Sequence, residues 1–438
     1  MDWRAKFANL NPRGVTLVGA TVPVCLVEDV PLDADGEGLA TADIEIAYGR
    51  ITALRPAGAT AATGPSLDLD RGMVWPGFVD CHTHLDKGHI WPRSPNPDGS
   101  FQGALATVMA DRAAHWSAQD VAARMDFALR CAHAHGTVAI RTHLDSRFGQ
   151  TGITWPVYAE LKDRWRGRID LDASPLFPID LALDDAHMGE VTAAVAAHGR
   201  TLGAVTYMHP KLGEALERLF RLAATRGWGL DFHVDESLDP GARSLRTIAE
   251  TALRLRFEGP ILVGHCCSLS VQPDDVAMST MDLVAEAGIA VVSLPLCNLY
   301  LQDRQRDRTP RRRGVTLLHE LAARGIAVAI ASDNTRDPFY AYGDLDALEV
   351  FRTAVRIAHL DHPIDRWPRA ITATPAAILG SRNNGLLCIG APADLIAMPA
   401  RSWTELLSRP QASRAVLRAG ALLAAELPDY RELDPLFR

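Results

Sequence analysis

At 438 residues the chain exceeds one ordinary core, so its length calls for a large α/β barrel or two packed units. Apolar residues at 47% and charged ones at 22% are ordinary for a globular protein, and a net charge of -8 gives no basic footprint for nucleic acid. The opening has no apolar leader and no stretch approaches the roughly 18 apolar residues of a membrane span, so no membrane association and a cytoplasmic location are expected.

In chain order, the first elements are short β-type runs at 15–24, 42–56 and 66–70, separated by an acidic, glycine-rich stretch at 32–38. From Val74 the pattern changes to short apolar runs alternating with helical segments, the mark of repeated βα units. The runs are 74–80, 137–145, 171–178, 203–210, 229–236, 260–266, 289–298 and 326–334. Eight such units fit a closed barrel better than an open doubly wound sheet. Amphipathic helices are expected at 118–135, 212–226, 241–257, 315–324 and 344–360. Beyond residue 385 the β character returns around a short helix near 403–409. The expected fold class is therefore α/β, a distorted (β/α)8 barrel at 74–384 with a small β-sandwich built from 1–73 and 385–438. The seven cysteines are scattered without a CxxC pair, which suggests neither a disulfide scaffold nor a structural zinc cluster. The basic run at 304–313 reads as a solvated loop, with a lid or subunit contact as the alternative, and homo-oligomerisation stays open.

A barrel carries its chemistry at the C-terminal ends of its strands. His82 and His84 follow the first run, His233 and Glu236 end the fifth, His265 ends the sixth and Asp333 ends the eighth. Residues two apart on extended backbone point the same way, so His82 and His84 can aim both imidazoles at one ion. His233 and Asp333 would complete a nitrogen and oxygen ligand set suited to one zinc or divalent iron ion, with a position left for water. Such an ion lowers the pKa of bound water toward neutrality. Glu236 and His265 would flank the nucleophile as proton shuttle and positioning group, with Asp333 also taking a proton. His143 and His209, at the ends of the second and fourth runs, are weaker candidates, and the other histidines read as structural.

The segments PGFVDCHTHLDK (76–87), RTHLD (141–145), FHVDE (232–236), GHC (264–266), RRRGVTLLHEL (311–321) and SDNTRDPF (332–339) resemble the cytosine deaminase branch of the amidohydrolase superfamily. The likeness spans nearly the whole chain. It implies a distorted (β/α)8 barrel with a flanking β-sandwich, one metal ion on His82, His84, His233 and Asp333, and Glu236 and His265 in the roles above. The implied reaction is the replacement of an exocyclic amine on a cytosine-like nitrogen heterocycle by oxo, with release of ammonia.

Departures from that pattern bear on the substrate. The family's glutamine after the third strand has no counterpart in SPLFPID (174–180), where Phe177 stands in the pocket segment, and Asn334 and Phe339 replace an aspartate and a tryptophan. A site lacking the amide should not hold cytosine in the same way. Lys87 and Asn334 are candidates for reading the ring's oxo and amino groups. HTHLDK with SDN also resembles triazine-ring amidohydrolases and pterin deaminase-like members, so pterin, isocytosine, creatinine or aminotriazine rings are alternatives. A dinuclear cyclic amide hydrolase would look for a bridging lysine after the fourth strand, where only Lys211 is near. The remaining alternative is a barrel that binds a metal or ligand without catalysis.

Overall fold

The structure, a computed structural model, describes residues 3–11, 13–59, 64–381 and 385–437. Contacts divide the chain into two compact units. One comprises Met1–Asp80, Cys131–Ala139 and Asp346–Leu427; the other comprises Cys81–Arg130, Ile140–Leu345 and Pro428–Arg438. The change of strand pattern puts the divisions at 73/74 and 384/385, and residue 384 lies outside the described residues.

The first strands are β1 (Val15–Pro23), β2 (Leu39–Ala47), β3 (Arg50–Pro56), β4 (Ser66–Asp68) and β5 (Met73–Pro76). Next come β6 (Phe78–Thr83), β7 (Thr137–Asp145), β8 (Asp170–Leu176) and β9 (Thr201–Thr206). They are followed by β10 (Gly229–Val234), β11 (Ile261–His265), β12 (Ala290–Ser293) and β13 (Val328–Ile330). The last are β14 (Leu395–Met398), β15 (Ala415–Arg418) and β16 (Ala421–Leu422).

In the first unit the strands of both chain ends share one eight-stranded sheet in the order β16-β15-β14-β5-β1-β2-β3, with β4 beside β1. Alternation makes the sheet's core: Ala42, Ile44 and Ile46 of β2 are buried with Leu17 of β1 and Leu395 and Leu417 of β14 and β15. The run read from the sequence as one strand at 74–80 is two. Met73–Pro76 pairs antiparallel with β14, and after Gly77 the chain leaves for β6. Pro76 cannot donate to a ladder, which favours a strand end there.

The eight strands β6 to β13 form the barrel. Their hydrogen-bonded sheets have the orders β6-β7-β8 and β13-β12-β11-β10-β9. Parallel bridges Thr83↔Asp333 and Pro178↔Val205 close the ring between them. The helix expected at 212–226 runs Leu212–Arg226, buries Leu216, Leu219 and Phe220, and stops at Gly227 with φ 64°. The seventh run ends early: β12 stops at Ser293, and Pro295 opens a helix, Pro295–Leu301, where its missing N–H costs nothing. Among the described residues no helix is long and apolar enough to cross a membrane.

Candidate metal centre and active site

The closing bridge of the barrel also assembles the centre. Asp333 donates its N–H to the carbonyl of His82 at 2.9 Å, which ties the segment after β13 to β6. Asp333 adopts φ 64° and His265 φ 69°, backbone conformations uncommon outside glycine that aspartate and histidine tolerate better than most. The His82 ring packs over Gly264, where an added Cβ would lie 2.8 Å from its Cε1. A side chain at 264 would push the imidazole out of line.

Three imidazole nitrogens and a carboxylate converge. His233 Nε2 lies 3.1 Å from His82 Nε2 and 3.0 Å from His84 Nε2. Asp333 Oδ1 lies 3.6 Å from His82 Nε2 and 3.2 Å from His84 Nε2. Tetrahedral zinc with bonds near 2.0–2.1 Å sets its ligand atoms roughly 3.3 Å apart, so the quartet fits a divalent ion. Burial first, and then neighbouring charged and imidazole groups, hold His82, His84 and His233 well below the usual histidine range. Neutral imidazoles are the form that ligates a metal.

Other close ligand triads are His82, His143 and His233; His82, His265 and Asp333; and Glu236, Cys297 and Asp333. His143, fully buried, sets its ring centre 4.1 Å from that of His82 with the planes tilted by 46°, so the structure brings it beside the quartet. His209 does not join the site; its Nδ1 accepts the N–H of Lys211 in a local turn. Lys211 itself is exposed, away from any bridging position.

Glu236 stands beside the quartet. Its Oε1 lies 3.3 Å from His265 Nδ1, and burial, reinforced by the Asp333 carboxylate, pushes its pKa well above the ordinary carboxylate range, with Lys87 opposing. Asn298, on the helix Pro295–Leu301, links the pair: its Nδ2 lies 3.0 Å from His265 Nδ1 and 3.4 Å from Glu236 Oε1. Sequence reasoning missed Asn298 because the run to 298 reads as strand.

A cavity of about 770 Å³ opens over these groups, and all of its lining residues belong to the larger unit. Its wall includes Lys87, Phe177, Asn334 and Phe339 beside Glu236, His265 and Asp333. Lys87 Nζ pairs with Asp145 Oδ1 at 3.0 Å and lies 5.4 Å from the centre of the Phe339 ring. Burial pulls Lys87 down, but the Asp145, Asp86 and Asp337 carboxylates outweigh it and hold the ammonium above its usual pKa. Asn334 is already engaged: its amide donates to Asp337 at 2.7 Å and its oxygen accepts the Cys297 thiol at 3.7 Å. Phe177, 1% exposed, stands in the wall where the resemblance implies an amide. The helix Phe101–His115, which carries Phe101, Leu105, Met109 and Arg112 into the wall, was not among the segments singled out in the sequence.

The comparisons agree with this architecture. Residues 175–424 match the amidohydrolase family. A pterin deaminase of Rhizobium rhizogenes is 53% identical over 98% of this chain and 96% of its own. The crystal structure of 5-methylcytosine deaminase from Klebsiella pneumoniae with 5-fluorocytosine superposes with TM-score 0.80 at 22% identity, over 94% of this chain and 98% of that one. N-isopropylammelide isopropylaminohydrolase from Burkholderia multivorans gives 0.75 at 23%, over 93% and 97%. The chain belongs to the amidohydrolase family, as a hydrolase acting on carbon–nitrogen bonds.

Proposed function

We infer that the chain is a metal-dependent deaminase of a bicyclic, pterin-like heterocycle. The observation that carries this reading is the cavity: about 770 Å³ is far more room than one pyrimidine ring needs, and Phe177 replaces a polar reader. The pterin deaminase at 53% identity supports the larger ring over the cytosine-like substrate that the motifs suggest first.

His82, His84, His233 and Asp333 would hold one divalent ion, which when bound supplies the Lewis acidity that makes water a nucleophile near neutral pH. Glu236, whose burial pushes its carboxyl above the ordinary carboxylate range, is set to pass a proton to the ring nitrogen beside the amine-bearing carbon. His265 accepts from Asn298 at Nδ1, so its Nε2 carries the hydrogen and can donate to the oxygen that adds to carbon. Asp333 helps relay the hydroxyl proton to the amine. The balance is one water consumed: its oxygen becomes the ring carbonyl, the carbon–nitrogen bond to the amine breaks, ammonia leaves and the ring keeps a lactam N–H.

Ammonia release from pterin, cytosine, isocytosine, creatinine and aminotriazines tests the reading. Pterin should give the highest kcat/KM. A buried polar edge without its partner costs about 1–3 kcal/mol, so cytosine should fall at least about tenfold below it. Cytosine as the best substrate would overturn the ring assignment, and no ammonia from any of them would overturn the deaminase.

A further inference from the structure

Three cations line the cavity: Lys87, Arg112 and Arg147. Two of them share one acid, since Asp145 takes Lys87 on Oδ1 at 3.0 Å and Arg112 on Oδ2 at 2.6 Å. Arg147, half-buried after the end of β7, makes no side-chain hydrogen bond or ion pair among the described residues. Only its backbone is used, its carbonyl accepting from Gln150 and Thr151 at 2.9 and 3.2 Å. A half-buried guanidinium without an acid is a binding group in waiting.

Apolar side chains share the cavity wall with it. Leu105, Met109, Tyr207 and Met208 line the same cavity and are 37%, 42%, 39% and 54% exposed, so they form a collar at its mouth. The nearby acid Asp180 is occupied by the Tyr207 hydroxyl, and the charge of Arg147 is felt at that phenol. An apolar collar thins the water around the guanidinium and strengthens its pull on an anion. The metal quartet fixes the other end of the substrate: with the amine-bearing ring against it, the second ring of a bicycle projects toward the mouth.

We propose that Arg147 and its apolar collar form an anion-reading subsite, which selects bicyclic heterocycles carrying a carboxylate on the ring remote from the amine. This rests on the deaminase reading above for the ring's orientation. One planar guanidinium beside hydrocarbon matches a single-charged carboxylate, whose two oxygens meet its fork, better than a dianionic phosphate.

The test compares pterin-6-carboxylate with its uncharged, isosteric 6-carboxamide on the metal-loaded wild type, Arg147→Ala and Arg147→Lys. Binding is read by calorimetry and turnover by ammonia release. The wild type should favour the carboxylate by about tenfold or more in Kd, as a charge-assisted bond allows. Arg147→Ala should erase that preference, Arg147→Lys should keep part of it, and added salt should weaken it in the wild type. Equal preference in wild type and Arg147→Ala overturns the subsite, whatever the turnover. A carboxylate preference that depends on Arg147, with no ammonia released from either compound, supports the subsite and overturns the deaminase reading instead.

Discussion

Asn298 Nδ2 lies 3.0 Å from His265 Nδ1, and the same nitrogen faces Glu236 Oε1 at 3.4 Å. An atom facing both an imidazole nitrogen and a carboxyl oxygen serves best as an NH2 donor, so the imidazole proton belongs on Nε2. A protonated Nε2 is no metal ligand, which separates His265 from the quartet despite its place in a triad with His82 and Asp333. Asn298→Ala should therefore keep the metal and lower kcat by about tenfold or more, through loss of the tautomer and of a buried bond. Loss of metal in this variant, measured by elemental analysis, would show instead that His265 ligates.

Metal content should be near one ion per chain. Because the quartet shares one point of convergence, His82→Ala or Asp333→Ala should lose the ion and the turnover while the barrel's circular dichroism persists. Normal occupancy in His82→Ala would sink the ligand assignment, and two ions per chain would move the chain to dinuclear chemistry.

Glu236 lies outside the quartet, so Glu236→Gln should retain both ion and fold. Its rate should drop by about 10²–10⁴-fold, the usual contribution of a positioned acid or base. Near wild-type turnover would make it a structural carboxylate.

The centre was largely legible because each of its groups sits near a strand's end, where a short apolar run stops: His82 and His84 after FVDC, His233 before VDE, Asp333 after IAS. What escaped the sequence depends on long-range packing. Strands β5 and β6 read as one apolar run because nothing local says that Met73–Pro76 bonds to β14, more than three hundred residues on. The first turn of the helix Pro295–Leu301 reads as strand because residues 295–298 continue the largely apolar run from Ile289 and are all buried, so no exposed polar face marks a helix there. Lys87 stands out in the sequence only as a departure from the residue that usually follows HTHLD; its ion pair with Asp145 requires the segments after β6 and at the end of β7 to be brought together.

His89 supplies a pH test away from the ligands. It is almost fully buried against Phe127 and Tyr430, and burial, with help from Arg336 and Arg124 against Asp344, lowers its pKa to about 3. The unfolded chain takes up this proton near pH 6.5 and the native chain does not, so stability is lost as pH falls from about 6.5 toward 3. His89→Asn, which suits the local φ of 65°, removes that one proton from the balance. Between pH 6 and 4 its denaturation midpoints should fall less steeply than those of the wild type, by up to about 1.4 kcal/mol per pH unit. Parallel slopes would mean that His89 protonates in the native state.

Lys87 is the remaining cation beside the metal quartet, and its role can be separated from that of its partner. Its ammonium is held charged by Asp145, Asp86 and Asp337, and it reaches the cavity next to the Phe339 ring, a surface on which a flat heterocycle can stack. A cation there suits the ring's oxo oxygen. Lys87→Met should lower kcat/KM on the best substrate by about ten- to a hundredfold, mostly through KM, because the contact exists before and during the reaction. The substitution leaves Asp145 with Arg112 alone, so a loss of stability could mimic a loss of binding. Adding Asp145→Asn to Lys87→Met removes the acid left with a single cation while keeping an amide oxygen for Arg112 to bond. The double variant should recover thermal stability without recovering KM, whereas recovery of KM together with stability would show that Lys87 serves the fold and not the substrate.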